Sequence, residues 1–226
     1  MSSAPPRLTL FDLDHTLLSG DSDALWCEFL MDRGLLDRAA FEPRNLDLET
    51  RYRAGTVGVQ EFCEFYVGTL AGRTPAEWEP LRREFFAERI VPRLPADARA
   101  LVRAHRDAGE LVVLTTATNR FLTEATAAHL GIAHLIATEC EFDADGRFSG
   151  RTRGTPNMRE GKVQRLHEWL AARGEVLERF ASTAYSDSAN DLPLLEAVRT
   201  AIAIDPDPRL AAVAAQRGWR VLRLVR

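Results

Sequence analysis

Four stretches of this 226-residue chain group acids, hydroxyls and a lysine where a folded chain offers them to a ligand. The first is Phe11-Asp12-Leu13-Asp14-His15-Thr16, two acids two residues apart at the end of an apolar run. Acids are poor strand formers, so the run ends there. The pair then either does chemistry or caps the next helix. The second, Thr115-Thr116-Ala117-Thr118-Asn119, directly follows another apolar run. Its hydroxyls and free N–H groups suit an anion, and they equally suit plain N-capping. The third, Glu160-Gly161-Lys162, opens a helical pattern. It is no Walker A loop, because Pro156 stands five residues before Gly161 and Val163 follows the lysine. Lys162 is either a point charge aimed at phosphate or a solvated surface lysine. The fourth, Ser186-Asp187-Ser188-Ala189-Asn190-Asp191, holds two acids four apart with small residues between them. Small residues let a backbone turn tightly beside a ligand, and a strand-to-helix loop with an Asp cap reads the same way.

The elements that must position these residues follow from apolar periodicity. Strand-like runs occur at 8–12, 111–115, 134–138, 182–185, 201–204 and 220–224, and helical patterns separate most of them. The helices are expected at 95–108, 120–129, 161–172, 191–197 and 208–216. Alternation of this kind predicts an α/β fold, a Rossmann-like, mostly parallel sheet with helices on both faces. Ligands of such sheets sit at the carboxyl ends of the strands, where all four stretches fall. One segment breaks the alternation. Residues 22–90 show helical patterning at 23–33, 37–54, 59–70 and 75–89 with almost no strand signal, although a crossover needs only a dozen or so residues. The organisation expected is a core of residues 1–20 and 91–226 and an all-helical cap subdomain at 21–90, placed to close over the site. Its aromatics, including Trp26, Phe29, Phe62 and Trp78, read mainly as helical core. Residues 139–151 read as a hairpin turning at Asp143-Ala144-Asp145-Gly146. A calcium loop there fails, since Thr152 stands where the twelfth-position Glu is needed.

Composition narrows the function classes. Hydrophobic residues at 46% and charged residues at 27% are globular values. A net charge of −4 without a basic block argues against nucleic acid as a partner. No apolar run reaches about 18 residues, so no membrane role is expected, and residues 1–7 lack an export-signal pattern. Cys27, Cys63 and Cys140 are odd in number and far apart, which fits neither a disulfide framework nor a CxxC zinc site. A cytoplasmic location is the expectation. His15 reads as a turn residue, and the other histidines lack metal-ligand spacing.

Taken together and in order, D-x-D-x-T, a hydroxyl after a strand, a lysine and D-x-x-x-D resemble the haloacid dehalogenase-like hydrolases. The resemblance covers nearly the whole chain. The helical insert after the first stretch, Gly161-Lys162 and Asp187-Ser188-Ala189-Asn190-Asp191 resemble the phosphoserine-phosphatase-like branch, with general similarity to its histidinol-phosphatase-like members. The resemblance implies a phosphatase of small phosphorylated metabolites. Asp12 would be the nucleophile and Asp14 the general acid and base. Mg²⁺ would be held by the carboxylates of Asp12 and Asp187 and the backbone carbonyl of Asp14. Asp191 would act through water or orient Lys162, with Asn190 beside it behind the ligands. Lys162 and a threonine would hold the phosphoryl oxygens. The doublet Thr115-Thr116 leaves that register open. Thr116 is preferred, as one residue past the strand. A cation is needed in any case, because two carboxylates 4 Å apart repel by about 4 kcal/mol at an effective dielectric of 20. Asp21 takes the place of a substrate-binding acid but is Asp rather than Glu, which predicts a different pocket depth. A dehalogenase or phosphotransferase on the same scaffold and a non-catalytic phosphate binder are the alternatives. Retention of both Asp12 and Asp14 argues against a dehalogenase and against a non-catalytic binder.

Overall fold

A computed structural model describes residues 4–225 of the chain. Met1–Ser3, part of the opening stretch read for an export signal, lie outside the described residues. Six strands form one parallel sheet: β1 (Arg7–Phe11), β2 (Leu111–Asn119), β3 (His134–Thr138), β6 (Ala181–Ser186), β7 (Thr200–Ile204) and β8 (Arg220–Leu222). Their order is β3-β2-β1-β6-β7-β8. The chain thus winds outward from β1 in one direction and later from β6 in the other. The β1/β6 boundary is therefore the switch point where a doubly wound sheet opens a crevice. β4 (Cys140–Phe142) and β5 (Phe148–Thr152) form a separate antiparallel hairpin.

Period-two burial explains the layering. Phe11, Val112, Leu114, Tyr185, Ile202 and Ile204 face one side and join a cluster with α5 (Ala96–Asp107) and α6 (Arg120–His129). Their sequence neighbours Leu10, Val113, Ala184 and Ala203 face the other side with α7 (Glu160–Ala171), α8 (Leu192–Ala197) and α9 (Pro208–Arg217). At roughly 1.5–3 kcal/mol per fully buried large apolar side chain, these two faces hold the sheet.

Between β1 and α5 the described chain is helical: α1 (Ser22–Asp32), α2 (Arg38–Ala54), α3 (Val59–Val67) and α4 (Pro75–Phe85). Local signals set their ends. Thr74 and Glu77 form a reciprocal capping box with Pro75 at the first position of α4, and Gly55 closes α2 in the left-handed region. The single helix expected over 75–89 instead widens into a π turn at Phe86–Ile90 and tightens into a 3-10 turn at Val91–Arg93. Pro92 cannot donate to a continuing helix, so the helix ends there. Trp26 stacks on Phe29 and meets Trp78 and Phe85 edge-on, which bears out the aromatic-core reading. A second cluster within the insert, around Phe41, Phe62 and Tyr66, takes Met158 from the segment before α7.

The hairpin turns at the Asp-Gly site as expected. Asp143 Oδ1 accepts from the N–H groups of Asp145 and Arg147, and Gly146 has φ +74°. The hairpin also bonds to the insert. Gly72 N–H donates to Phe148 O and Phe148 N–H to Arg73 O, both at 2.9 Å. No described helix is long and apolar enough to cross a membrane.

Candidate active site

Asp12 follows β1 and Asp187 follows β6, so adjacent strands bring both to the switch point. Asp12 N–H extends the ladder by donating to Tyr185 O at 3.0 Å. The chain then turns through His15, at φ +56°, which fits its reading as a turn residue. This folds Thr16 back over the strand end. Thr16 Oγ1 lies 3.0 Å from Asp12 Oδ2 and 2.9 Å from Asp187 Oδ1, and it accepts from Asp187 N–H at 3.0 Å. One hydroxyl hydrogen therefore faces two carboxylates.

Lys162 enters from the first turn of α7. Its Nζ lies 2.7 Å from both Asp12 Oδ1 and Asp191 Oδ2, and it is 2% exposed. Of the two readings left open, the surface lysine is excluded. Gly161 lets α7 approach this closely, because a Cβ there would lie 2.1 Å from Pro156 O. Ser186 Oγ donates to the same Asp191 oxygen at 2.7 Å. Burial pushes the Asp12 carboxyl up to about 7 despite Lys162, and Asp191 and Asp14 add to the rise. Asp187 is pushed well above the usual carboxylate range by burial, then by Asp12.

Asp14 is held by other elements. Its Oδ1 accepts from Ser22 N–H at 2.7 Å and Ser22 Oγ–H at 2.6 Å, and its Oδ2 from Thr118 at 2.9 Å and Thr116 at 3.3 Å. Thr116 was expected just past the strand. It lies inside β2, which runs on to Asn119 with irregular pairing after Thr116. The strand extends because Asn157 Nδ2 lies within bonding distance of Thr115 Oγ1, Thr116 O and Ile136 O, which pins the ends of β2 and β3 together. Alternation then turns Thr115 toward Asn157 and Thr116 toward Asp14.

Asp21 caps α1, accepting from Ala24 N–H at 2.9 Å, and is half-buried beside Asp14. Burial, then Asp14, raises its carboxyl to about 7. Asn190, expected behind the acids, instead turns toward the insert. Its Oδ1 accepts from Arg159 Nε–H at 2.9 Å, while Arg159 Nη1–H donates to Val57 O at 3.0 Å. Sequence reasoning named neither Arg159 nor Asn157, and neither carries a local signal. It also passed over Ser22 and Asp23, although both directly follow Asp21.

The donor set bears on a metal. Asp12 and Asp191 flank one buried ammonium, Asp12 and Asp187 share a single hydroxyl, and the charge of Asp14 bears on Asp12. Among the described residues no three His, Cys, Asp or Glu side chains form a metal cage by themselves. Mg²⁺ does not require one, since it takes one or two carboxylates and completes its shell with phosphate oxygen and water. Hard oxygen donors with excess negative charge fit that ion.

The profile of the haloacid dehalogenase-like hydrolases matches residues 9–196. A histidinol-phosphatase of Neisseria meningitidis is 40% identical over 217 residues, 96% of this chain and 98% of its own. A phosphoserine phosphatase of Mycobacterium tuberculosis is 34% identical, over 93% of this chain and 68% of its own. The solved structure of a Bordetella pertussis protein with unknown function superposes with a TM-score of 0.91 at 48% identity, covering 97% of this chain and 99% of that one.

Proposed function

The chain belongs to the haloacid dehalogenase-like hydrolase family, and on that premise we propose that it hydrolyses a small phosphate monoester, with histidinol phosphate the leading substrate. The observation that carries the reading is the Asp12 carboxylate at the switch point, held at 2.7 Å by Lys162 beside Asp187 and Thr16. The preference for histidinol phosphate rests on the Neisseria relative, which matches this chain nearly end to end.

In this reading Asp12 attacks phosphorus. The bond to the alcohol oxygen breaks as the bond to the Asp12 oxygen forms, and Asp14 gives its proton to the departing alcohol. Asp14 then takes a proton from water, which attacks the aspartyl-phosphate and releases Asp12 and phosphate. Thr116 and Lys162 hold the equatorial oxygens, where charge builds. Mg²⁺ held by Asp12, Asp187 and the Asp14 carbonyl would neutralise that charge and keep Asp12 ionised against its burial. Asp191 orients Lys162 through the 2.7 Å contact. Asp21, whose carboxyl feels the charge of Asp14, would suit a cationic amine on the leaving group. The helices of residues 22–90 act as the cap that excludes water.

Phosphate release from histidinol phosphate, phosphoserine and neutral esters tests this. Turnover is expected with Mg²⁺, is lost in excess EDTA, and is lost in Asp12→Asn. Near-native turnover by Asp12→Asn would remove the nucleophile assignment. Preference for phosphoserine would reassign the substrate alone.

A further inference from the structure

Asn157 stands between β5 and α7, away from the acids, and is 0% exposed. Its side chain nevertheless reaches the strand that carries Thr116. Nδ2 lies 2.9 Å from Thr116 O, 3.0 Å from Ile136 O and 3.0 Å from Thr115 Oγ1. These partners fix which way the amide points. With Oδ1 in the place of Nδ2, an oxygen would face two carbonyls that cannot donate. The backbone is held as well, since Asn157 N–H donates to Thr138 Oγ1 at 3.0 Å.

The contacts fall where the sheet stops being regular. Thr115 pairs with Ile136 and Thr116 with Ala137, and the register then shifts before Asn119 meets Thr138. In a regular parallel ladder, evenly spaced N–H groups of the neighbouring strand serve such carbonyls. At this shift the Asn157 amide serves Thr116 O and Ile136 O from outside the sheet. The orientation of the Thr116 peptide is therefore set by Asn157 together with β3. The Thr116 side chain leaves that same residue toward the site, where its Oγ1 accepts from Thr118 N–H at 3.2 Å and lies 3.3 Å from Asp14 Oδ2. Asn157 Oδ1 is buried with no partner among the described residues. A buried acceptor left unmade is costly, so packing alone does not favour asparagine at this position. Its donor side does.

We propose that Asn157 is a positioning residue for the hydroxyl that holds the transferring phosphoryl group. By fixing the Thr116 carbonyl it fixes where Thr116 Oγ1 points, without touching substrate itself. This rests on the assignment of Thr116 above. The leverage is large, because a misplacement of about 1 Å at a reacting centre can cost about a hundredfold in rate.

The test reads turnover of p-nitrophenyl phosphate with Mg²⁺ present and competitive inhibition by inorganic phosphate. Thr116→Ala should raise the phosphate Ki and lower kcat/KM roughly ten- to hundredfold, the scale of one hydrogen bond to a charged group. If it changes neither, the Thr116 assignment falls and this proposal with it. With that loss in place, Asn157→Ala alone should raise the phosphate Ki and lower kcat/KM by about tenfold. Added to Thr116→Ala, it should cost less than about twofold more, because its effect passes through the hydroxyl already removed. A full tenfold loss on top of Thr116→Ala would overturn the positioning role. So would a lower Tm with Ki and kcat/KM unchanged, which would leave Asn157 as a pin between strands. If Asn157→Ala does not fold, nuclear magnetic resonance of the parent still decides. The Asn157 side-chain amide protons should exchange slowly with solvent and shift when inorganic phosphate saturates the site. Rapid exchange, or resonances unmoved by phosphate, would overturn the proposal.

Discussion

Replacing Lys162 with methionine keeps most of the side-chain volume and removes the ammonium between Asp12 and Asp191. Each contact is 2.7 Å, and the three side chains are 3%, 9% and 5% exposed. At that distance and an effective dielectric of 20, each pair carries about 6 kcal/mol of Coulomb energy, most of it offset by desolvation. Removing one partner strands buried charge, which costs about 3–5 kcal/mol. For a chain of this length that lowers Tm by roughly 6–20 °C. The carboxylates can escape by protonating, which fixes the pH dependence. In the parent, Asp12 already sits near 7 with Lys162 lowering it. Without the lysine its folded pKa rises further above its unfolded value. The folded variant then binds a proton that the unfolded chain releases, so stability is lost as pH rises from about 4 through 7 and beyond. Urea denaturation in EDTA at about pH 5.5 and about pH 8 reads this directly. The loss should be larger at the higher pH. Asp191→Asn added to Lys162→Met should recover part of it, because the two sites share a contact. A loss under about 1 kcal/mol at pH 8, or equal losses at both pH values, would refute the buried-pair account.

Gly161→Ala should destabilise by about 1–3 kcal/mol and lower turnover, because its Cβ meets Pro156 O and pushes α7, with Lys162, away from Asp12. Unchanged melting and kinetics would count against that close approach. Asp21→Asn keeps an N-cap of similar strength. The Asp21 carboxyl is raised to about 7, so burying it costs stability as pH climbs from about 4 to 7. The variant should therefore match the parent in Tm near pH 4, exceed it near pH 8, and shift preference from amine-bearing toward neutral esters. A lower Tm at pH 8 would assign Asp21 to the fold. Burial pushes the Cys63 and Cys140 thiols up to about 12 and Cys27 well above its usual value. With a thiolate fraction of roughly one in ten thousand at pH 8, iodoacetamide should label the native protein only as fast as it unfolds. Rapid native labelling would contradict this.

The strands, their alternation with helices and the site at their carboxyl ends were legible because most strands are short, largely apolar runs that end at a change of chemistry, whereas the strand order came only from the fold. The acids of the first and fourth stretches were legible for the same reason. What escaped depended on contacts between distant elements. Thr116 was placed beyond the strand because hydroxyl residues lower the apolar signal, yet Asn157, forty-one residues away, keeps β2 extended through it. Asn190 was grouped with its neighbours Asp187 and Asp191, but the 3-10 turn at Ala189–Asp191 rotates it toward Arg159. Asp23 was passed over because an acid in the first turn of a helix is ordinary. Only the packing of α1 against β2 buries it. The π turn at Phe86–Ile90 has no counterpart in periodicity, since its apolar residues still fit a helix.

The two backbone bonds between Gly72, Arg73 and Phe148 tie the helical insert to the hairpin as firmly as rungs of a sheet. A body attached only at its two chain ends would swing on those ends alone. This one carries the hairpin with it, so the give must come where the hairpin rejoins the core. Downstream of β5 that is the short run to α7, which contains Arg159 at φ +53° and leads into Lys162 three residues later. Any displacement of the insert would therefore be transmitted along this run, through the covalent path of the chain, toward the residue that carries the buried ammonium.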